Sequence, residues 1–464
     1  MKSSTSKFKT IPGSICAPRG FQCAAVFCDI KRIGTGKGSE KGRKRDLALI
    51  VSDVPAAVAG MFTSNQVCAA PVQLSAKRAA ANSARAIVVN SGNANACTGR
   101  QGLRDAEEMT RLAARAVAAL YERRKNSVRT TVTDRRYKRV LARDVLVCST
   151  GRIGVAMPMK NVERGIRKCA PLIARSTSNA RQTAEAILTS DTRRKEIAVE
   201  FKIDNRLVRV GGICKGAGMI QPGMDQKLHA TMLAFITSDL AIESNLLKRA
   251  LQIAVEQSFN RISVDGDMST NDSVIMLANG LAENSKLEIR QSDSDRNSKQ
   301  IRVFQMALNH VCLELAKMIV RDGEGVSRFV ALCVQGARNM RDAEAAARAI
   351  ANSSLVKTSW CGGDPNWGRI LCALGYSKAK VDESIVDVGY ARPGSREILF
   401  GFRRGQPTNV SLRKLAKITS GKEFDIHVDL NLGRGQFMVY ASDLTEDYVA
   451  FNKGDVSDPK TLGG

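Results

Sequence analysis

The sequence has 464 residues, 44% of them hydrophobic and 25% charged, with a formal net charge of +26. That length leaves room for about two to four domains, and the composition excludes a disordered or fibrous chain. No run approaches the roughly 18 consecutive apolar residues of a membrane helix, and no apolar signal core follows the start.

The N-terminal stretch is rich in Ser, Thr and Lys, and its first acidic residue is Asp29. We expect a cytoplasmic protein with a frayed tail; a short transit segment to an organellar matrix is the alternative. Residues 31–46 carry seven Lys or Arg and two acids. Asp46 to Val54 is a dense apolar run that predicts a buried strand. Ala86 to Asn90 predicts another, ending in the turn Ser91-Gly92-Asn93-Ala94-Asn95. Asp105 to Tyr121 shows helical spacing. Residues 121–143 hold nine Lys or Arg and two acids and read as a basic surface insertion. Asp144 to Ser149 predicts a strand that stops at Thr150-Gly151.

Residues 196–213 alternate polar and apolar and predict a hairpin turning at Asp204-Asn205. Residues 214–231 are rich in Gly, Pro and Met; Met232 to Ile242 is strongly apolar, and a helix over 244–257 follows. Residues 285–300 read as a polar loop. A helix at 308–320, a strand at 329–334, a helix at 341–351 and strands near 383–390 and 424–430 complete the pattern. Helices and strands mix without strict alternation, which points to an α/β or α+β class with mixed sheets.

The basic stretches interleave no aromatic stacking residues, so they read as solvated surface rather than a nucleic-acid footprint. The twelve cysteines are scattered, without C-x-x-C or zinc-ligand spacing, and read as reduced thiols. Gly34-Thr35-Gly36-Lys37-Gly38 lacks the order of a phosphate loop. Only three histidines exist, His229, His310 and His427, and nothing around them resembles a nucleophile elbow. A hydroxyl nucleophile can do without histidine if it is the first residue of a chain. A free α-amine, with a pKa of about 7.7–8.0, then takes the hydroxyl proton. To create such a residue internally the chain must cut itself. Lys215-Gly216-Ala217-Gly218-Met219 through Ala230-Thr231 sets flexible glycines ahead of a threonine.

KGAGMIQP…ATMLAFITSD, residues 215–239, resembles the self-cleavage segment of the ornithine acetyltransferase (ArgJ) family. VVNSGNANACTG (88–99), VLVCSTGRIG (145–154), FNRISVDGDMSTND (259–272), IVRDGEGVSRF (319–329), NSSLVKTSWCGGDPNWGRI (352–370) and DLTEDYV (443–449) resemble family blocks in family order. The resemblance implies cleavage between Ala230 and Thr231, giving chains 1–230 and 231–464 that assemble as an α2β2 heterotetramer. It implies a DmpA/ArgJ-like α+β fold, a four-layer α-β-β-α sandwich with a smaller C-terminal α/β domain. Thr231 matches the nucleophile that moves acetyl from N-acetylornithine to glutamate in arginine biosynthesis. Thr150 and Gly151 match the oxyanion pair, and Thr189, Lys215, Glu324, Asn452 and Ser457 match substrate contacts. No metal and no bound cofactor are implied; acetyl-CoA as a second acetyl donor stays open. The glycine loop around Asn93 and the Asp364 to Arg369 segment are expected to pack near the site without touching substrate.

This chain departs from the family at 34–43, 121–143, 285–300 and just before the scissile bond, near Asp225 to His229. The basic stretches fall in two of these departures. Two other readings stay open: a threonine-nucleophile aminopeptidase or hydrolase on the same fold, and a non-catalytic basic relative that binds nucleic acid.

Overall fold

Two short strands, β1 (Lys9–Thr10) and β2 (Phe21–Val26), precede β3 (Leu47–Phe62), which in the computed structural model turns the apolar run after Asp46 into the longest strand among the described residues. The structure describes residues 8–31, 44–127, 140–222, 232–282, 288–289 and 294–453. Next come α1 (Ala70–Ala79), β4 (Ser83–Asn93), α2 (Gly99–Ser127), β5 (Val145–Arg152), α3 (Met159–Cys169) and α4 (Thr177–Ala186). The hairpin β6 (Lys195–Ile203) and β7 (Arg206–Lys215) leads to β8 (Leu233–Ser238), β9 (Ala241–Ile242) and α5 (Ser244–Glu256). Then follow β10 (Ile262–Ser263), β11 (Ser273–Ala278), β12 (Glu288–Ile289) and α6 (Ser294–Arg321).

Among the described residues the larger sheet runs β1-β6-β7-β8-β11-β3-β4-β5, with β2 also on β3. The first half of β3 pairs β2 and β4, and its second half, Ala57 to Phe62, pairs β11. Its ladder with β4 breaks between Val51 and Ala56, where Pro55 lacks the N–H a regular ladder would use. At that corner the sheet doubles back on itself. Phe21, Ile50, Ile87, Val89 and Leu146 from one half meet Ile213, Leu233, Phe235, Ile275 and Leu277 from the other. The alternate residues face outward. Leu49, Val88 and Val147 pack under α2 and α3, and Val210, Ile236 and Met276 pack under α5 and α6. The result is the expected four-layer α-β-β-α sandwich. Burial on both faces explains why these strands read as continuous apolar runs.

The C-terminal unit is built from β13 (Phe329–Ala337), α7 (Met340–Asn352), α8 (Ser354–Gly362), α9 (Trp367–Gly375), β14 (Asp387–Ala391), β15 (Leu399–Arg403), β16 (Gln406–Pro407), α10 (Leu412–Thr419), β17 (Glu423–Asp429), β18 (Gly435–Ser442) and α11 (Glu446–Asn452). Its sheet runs β10-β18-β13-β17-β14-β15-β16, so β10 ties it to the sandwich. α7, α8 and α9 cover it with Ala346, Ile350, Trp360 and Leu374.

The hairpin at Asp204-Asn205 forms as expected, with both residues left-handed at φ +47° and +63°. Three expectations are corrected. The strand before Thr150-Gly151 does not stop there: β5 continues to Arg152, and β4 likewise runs through Ser91-Gly92-Asn93, because the two strands pair in parallel through this stretch. The expected loop at 285–300 contains β12, paired with β9, and the start of α6. The strand near 383–390 is a short helical turn at Glu383–Ile385 followed by β14. The insertion at 121–143 begins as an extension of α2 and ends in strand-leading turns; residues 128–139 lie outside the described residues. α6 contains Lys299–Arg321, long and apolar enough by composition to cross a membrane, but Phe304, Leu308, Leu315 and Ile319 pack on the sheet.

Candidate active site

Thr150 and Gly151 sit where β5 leaves the sandwich beside β4. Asn93 pairs with both Thr150 and Arg152, a bulge that turns the backbone. Gly151 has φ +132°, and a Cβ there would lie 2.3 Å from the Gly92 carbonyl carbon and 2.5 Å from the Asn93 nitrogen. Backbone cannot move aside as a side chain can, so this position takes only glycine. The asparagine-rich loop braces the bulge. Asn93 Nδ2 donates to the carbonyls of Val155 and Ala156 at 3.1 Å, and Ser149 Oγ donates to Asn90 Oδ1 at 2.6 Å. Asn271 Nδ2 donates to the Ala94 and Ser149 carbonyls at 2.6 and 2.9 Å. The expected packing role of this loop therefore has a physical content: it holds the residue before Thr150.

Lys215 ends β7 with its ammonium buried, and Nζ donates to Thr150 Oγ1 at 3.3 Å. Accepting that bond leaves the Thr150 hydroxyl hydrogen free to donate elsewhere. Lys215 also faces Leu233 in the ladder, and Ser273 N–H donates to the Met232 carbonyl at 2.8 Å. Thus Met232, the residue after Thr231 in the sequence, is held between β7 and β11 beside Lys215. Ala230, Thr231 and Ser457 lie outside the described residues.

Glu324 and Asn452 form a second pair, with Asn452 Nδ2 donating to Glu324 Oε2 at 3.0 Å. The Glu324 N–H donates to the Ala217 carbonyl at 2.9 Å, so its loop is fastened to the segment after Lys215. A Cβ at Gly218 would lie 2.3 Å from Glu324 Oε2, so the glycine admits the carboxylate. Thr445 Oγ1 donates to the Gly325 carbonyl at 2.6 Å and docks α11 there. The Thr189 N–H donates to Asp191 Oδ2 at 3.0 Å.

Sequence reasoning missed the acids around these residues. The Asp191 side chain is fully buried; burial would raise its pKa, but the ammoniums of Lys195 and Lys215 outweigh it and bring the carboxyl to about 2. Asp265 accepts N–H bonds from Met219 and Ile220 at 2.5 and 2.8 Å, and burial raises it. Asp272, in the FNRISVDGDMSTND block, is buried, and neither carboxyl oxygen has a hydrogen-bond partner among the described residues. Burial raises its pKa well above the ordinary value, against the pull of Lys215. Block membership was a signal for Asp265 and Asp272; Asp191 had none. Among the described residues no cluster of His, Cys, Asp and Glu has the make-up of a metal site.

A raised carboxyl has a definite sign in stability. The folded state keeps a proton that the unfolded chain has lost above a pKa of about 3.9. Asp272 therefore favours folding most at low pH, and that contribution falls as pH rises, by up to about 1.4 kcal/mol per unit until the folded pKa is reached. Asp272→Asn should remove this slope. Urea midpoints measured between about pH 5 and about pH 8 should fall more for the wild type than for the variant; parallel pH profiles would show that Asp272 is charged in the fold.

The ArgJ family model matches residues 31–454. The arginine biosynthesis bifunctional protein ArgJ of Symbiobacterium thermophilum is 41% identical over 442 residues, covering 95% of this chain and 98% of that one. The glutamate N-acetyltransferase of Methanocaldococcus jannaschii is 42% identical over 447 residues, covering 96% and 98%. A solved ornithine acetyltransferase from Mycobacterium tuberculosis, complexed with ornithine, is 32% identical over 47% of this chain and 100% of that chain, with a TM-score of 0.40.

Proposed function

The chain belongs to the ArgJ family of arginine-biosynthetic acyltransferases, and from that premise we propose that it cuts itself before Thr231 and then moves acetyl from N-acetylornithine to glutamate. The observation that supports this most directly is the register at β8. It sets Met232, next to Thr231 in sequence, against the strand end that carries Lys215, whose ammonium touches the Thr150 hydroxyl.

In the proposed cleavage the Thr231 hydroxyl oxygen attacks the Ala230 carbonyl, the C–N bond breaks, and water hydrolyses the ester. The products are a carboxylate at Ala230 and an α-amine at Thr231. In transfer, the neutral amine takes the Thr231 hydroxyl proton as the oxygen attacks the acetyl carbon. That proton leaves on the ornithine amine, and the glutamate amine then attacks the acetyl ester. Thr150 hydroxyl and Gly151 N–H donate to the oxyanion in both steps. Lys215 meets a substrate carboxylate as a point charge, and Glu324 with Asn452 meets the side-chain amine. Thr189 and Ser457 complete the substrate contacts. Chains 1–230 and 231–464 stay joined and pair as α2β2 in the cytoplasm.

The test is isotope exchange. With N-acetylornithine labelled in its acetyl group, ornithine carrying a second isotope in its carbons, and no glutamate present, the ornithine label should pass into N-acetylornithine, because a ping-pong enzyme completes its first half alone. Added glutamate should yield labelled N-acetylglutamate. Transfer to glutamate without any exchange in its absence would overturn the acetyl-enzyme.

A further inference from the structure

Three of the candidate substrate residues, Thr189, Lys215 and Glu324, lie on separate segments, and one buried row of charges joins the three. Lys195, at the start of β6, is fully buried between two carboxylates. Its Nζ lies 2.6 Å from Asp191 Oδ1 and also bonds Asp322 Oδ2. Asp191 Oδ1 accepts the Gly216 N–H at 2.7 Å, and Oδ2 accepts the Thr189 N–H at 3.0 Å. Asp322 accepts the Thr192 N–H at 3.2 Å and bonds the Thr192 hydroxyl. The row therefore grips the backbone next to Lys215, the backbone of Thr189, and the turn that carries Glu324 two residues on.

A buried lysine with one carboxylate would leave the second uncompensated, and removing any member strands a charge in low dielectric. With Lys215, whose charge also acts on Asp191, the signs alternate along the row: Lys215, Asp191, Lys195, Asp322. Such an arrangement resists displacement of any one segment relative to the others, because the two inner charges, Asp191 and Lys195, each have an opposite charge on either side. None of Asp191, Lys195 and Asp322 reaches the Thr150 hydroxyl or Glu324, so they act through other residues.

We propose that Asp191, Lys195 and Asp322 are positioning residues that hold Lys215 and Glu324 at a fixed separation, and so select the acetyl donor by the distance between its carboxylate and its side-chain amine. The inference rests on the substrate roles proposed for Lys215 and Glu324. It identifies the favoured class as acetylated diamino acids with one side-chain length, and it explains the use of buried charge where apolar packing would serve stability as well.

The test compares N-acetylornithine with N-acetyllysine, one methylene longer, in the wild type, Asp191→Asn and Lys195→Arg. One methylene is worth about 10–200-fold in a well-defined site. The wild type should prefer the ornithine derivative in kcat/KM, and each variant should lower that preference by about tenfold, chiefly through KM. Lys195→Arg keeps the charge while changing its reach, and covers the case in which Asp191→Asn does not fold. Hydrogen exchange gives an arm independent of substrate: amides of 189–195 and 215–219 should exchange faster in both variants, with β11 unchanged. An unaltered preference with a lowered melting temperature would overturn the positioning role. A wild type inert toward N-acetylornithine would instead sink the proposed activity, and local exchange would still decide whether the row holds the three segments.

Discussion

Thr231→Ala should give one band on a denaturing gel where the wild type gives two, corresponding to residues 1–230 and 231–464, and acetyl transfer should vanish with it. In the proposed mechanism the substitution removes the oxygen that attacks the Ala230 carbonyl and carries the acetyl group. Loss of a nucleophile in a comparable acyl-transfer site costs about 10⁶ in kcat, so residual activity should lie below ordinary detection. Thr231→Ser keeps an oxygen at that position and should restore both cleavage and transfer, more slowly. The wild-type halves should still co-elute under native conditions. β7 and β8 are antiparallel neighbours from Val210–Ser238 to Lys215–Leu233, so the cut would fall between two strands of one sheet. An intact wild-type chain that transfers acetyl would end the self-cleavage mechanism, as would a Thr231→Ala protein that still cuts.

Thr150→Val should lower kcat by about 10²–10³, equivalent to roughly 2.7–4 kcal/mol of transition-state stabilisation, with little change in KM. Valine matches threonine in shape and suits a strand, so β5 should persist. What disappears is the hydroxyl that Lys215 Nζ contacts at 3.3 Å and that would donate to the oxyanion. In the proposed mechanism the same donor would serve the tetrahedral intermediate of cleavage, so processing should slow in parallel, visible as accumulated full-length chain. Thr150→Ser should recover most of both rates. If Thr150→Val transferred acetyl at a rate within about threefold of wild type, the oxyanion role would be wrong, since one lost donor in such a site is worth far more. Gly151→Ala is the harsher change: its Cβ would press on the backbone of Gly92 and Asn93, so it should disturb the fold of the bulge and not the chemistry alone.

Much of the local structure was legible in the residues because local causes produce it. Asp204-Asn205 tolerate the left-handed backbone that a tight hairpin needs, and both adopt it. The helix over 244–257 forms as α5 because its apolar spacing matches one buried face. Even so, the apparent end of a strand at Thr150-Gly151 misled, since glycine there answers a close approach of β4 and not a turn. The polar look of 285–300 misled for a related reason: the first turns of α6 are polar before the helix reaches the sheet.

The sequence by itself determined the family, the order of the blocks and the chemistry of each side chain, because residue identity and short-range spacing carry those. It also set which runs would be buried. Only the tertiary structure decided what they are buried against: β3 rounding a corner at Pro55, two half-sheets stacked, and Thr150 brought to Lys215 from strands far apart in the chain. Likewise Asp191, Lys195 and Asp322 look like ordinary surface charges in the sequence. Their pairing follows from the cost of burying a lone charge, which no local pattern records, and which is met only when the fold closes around all three.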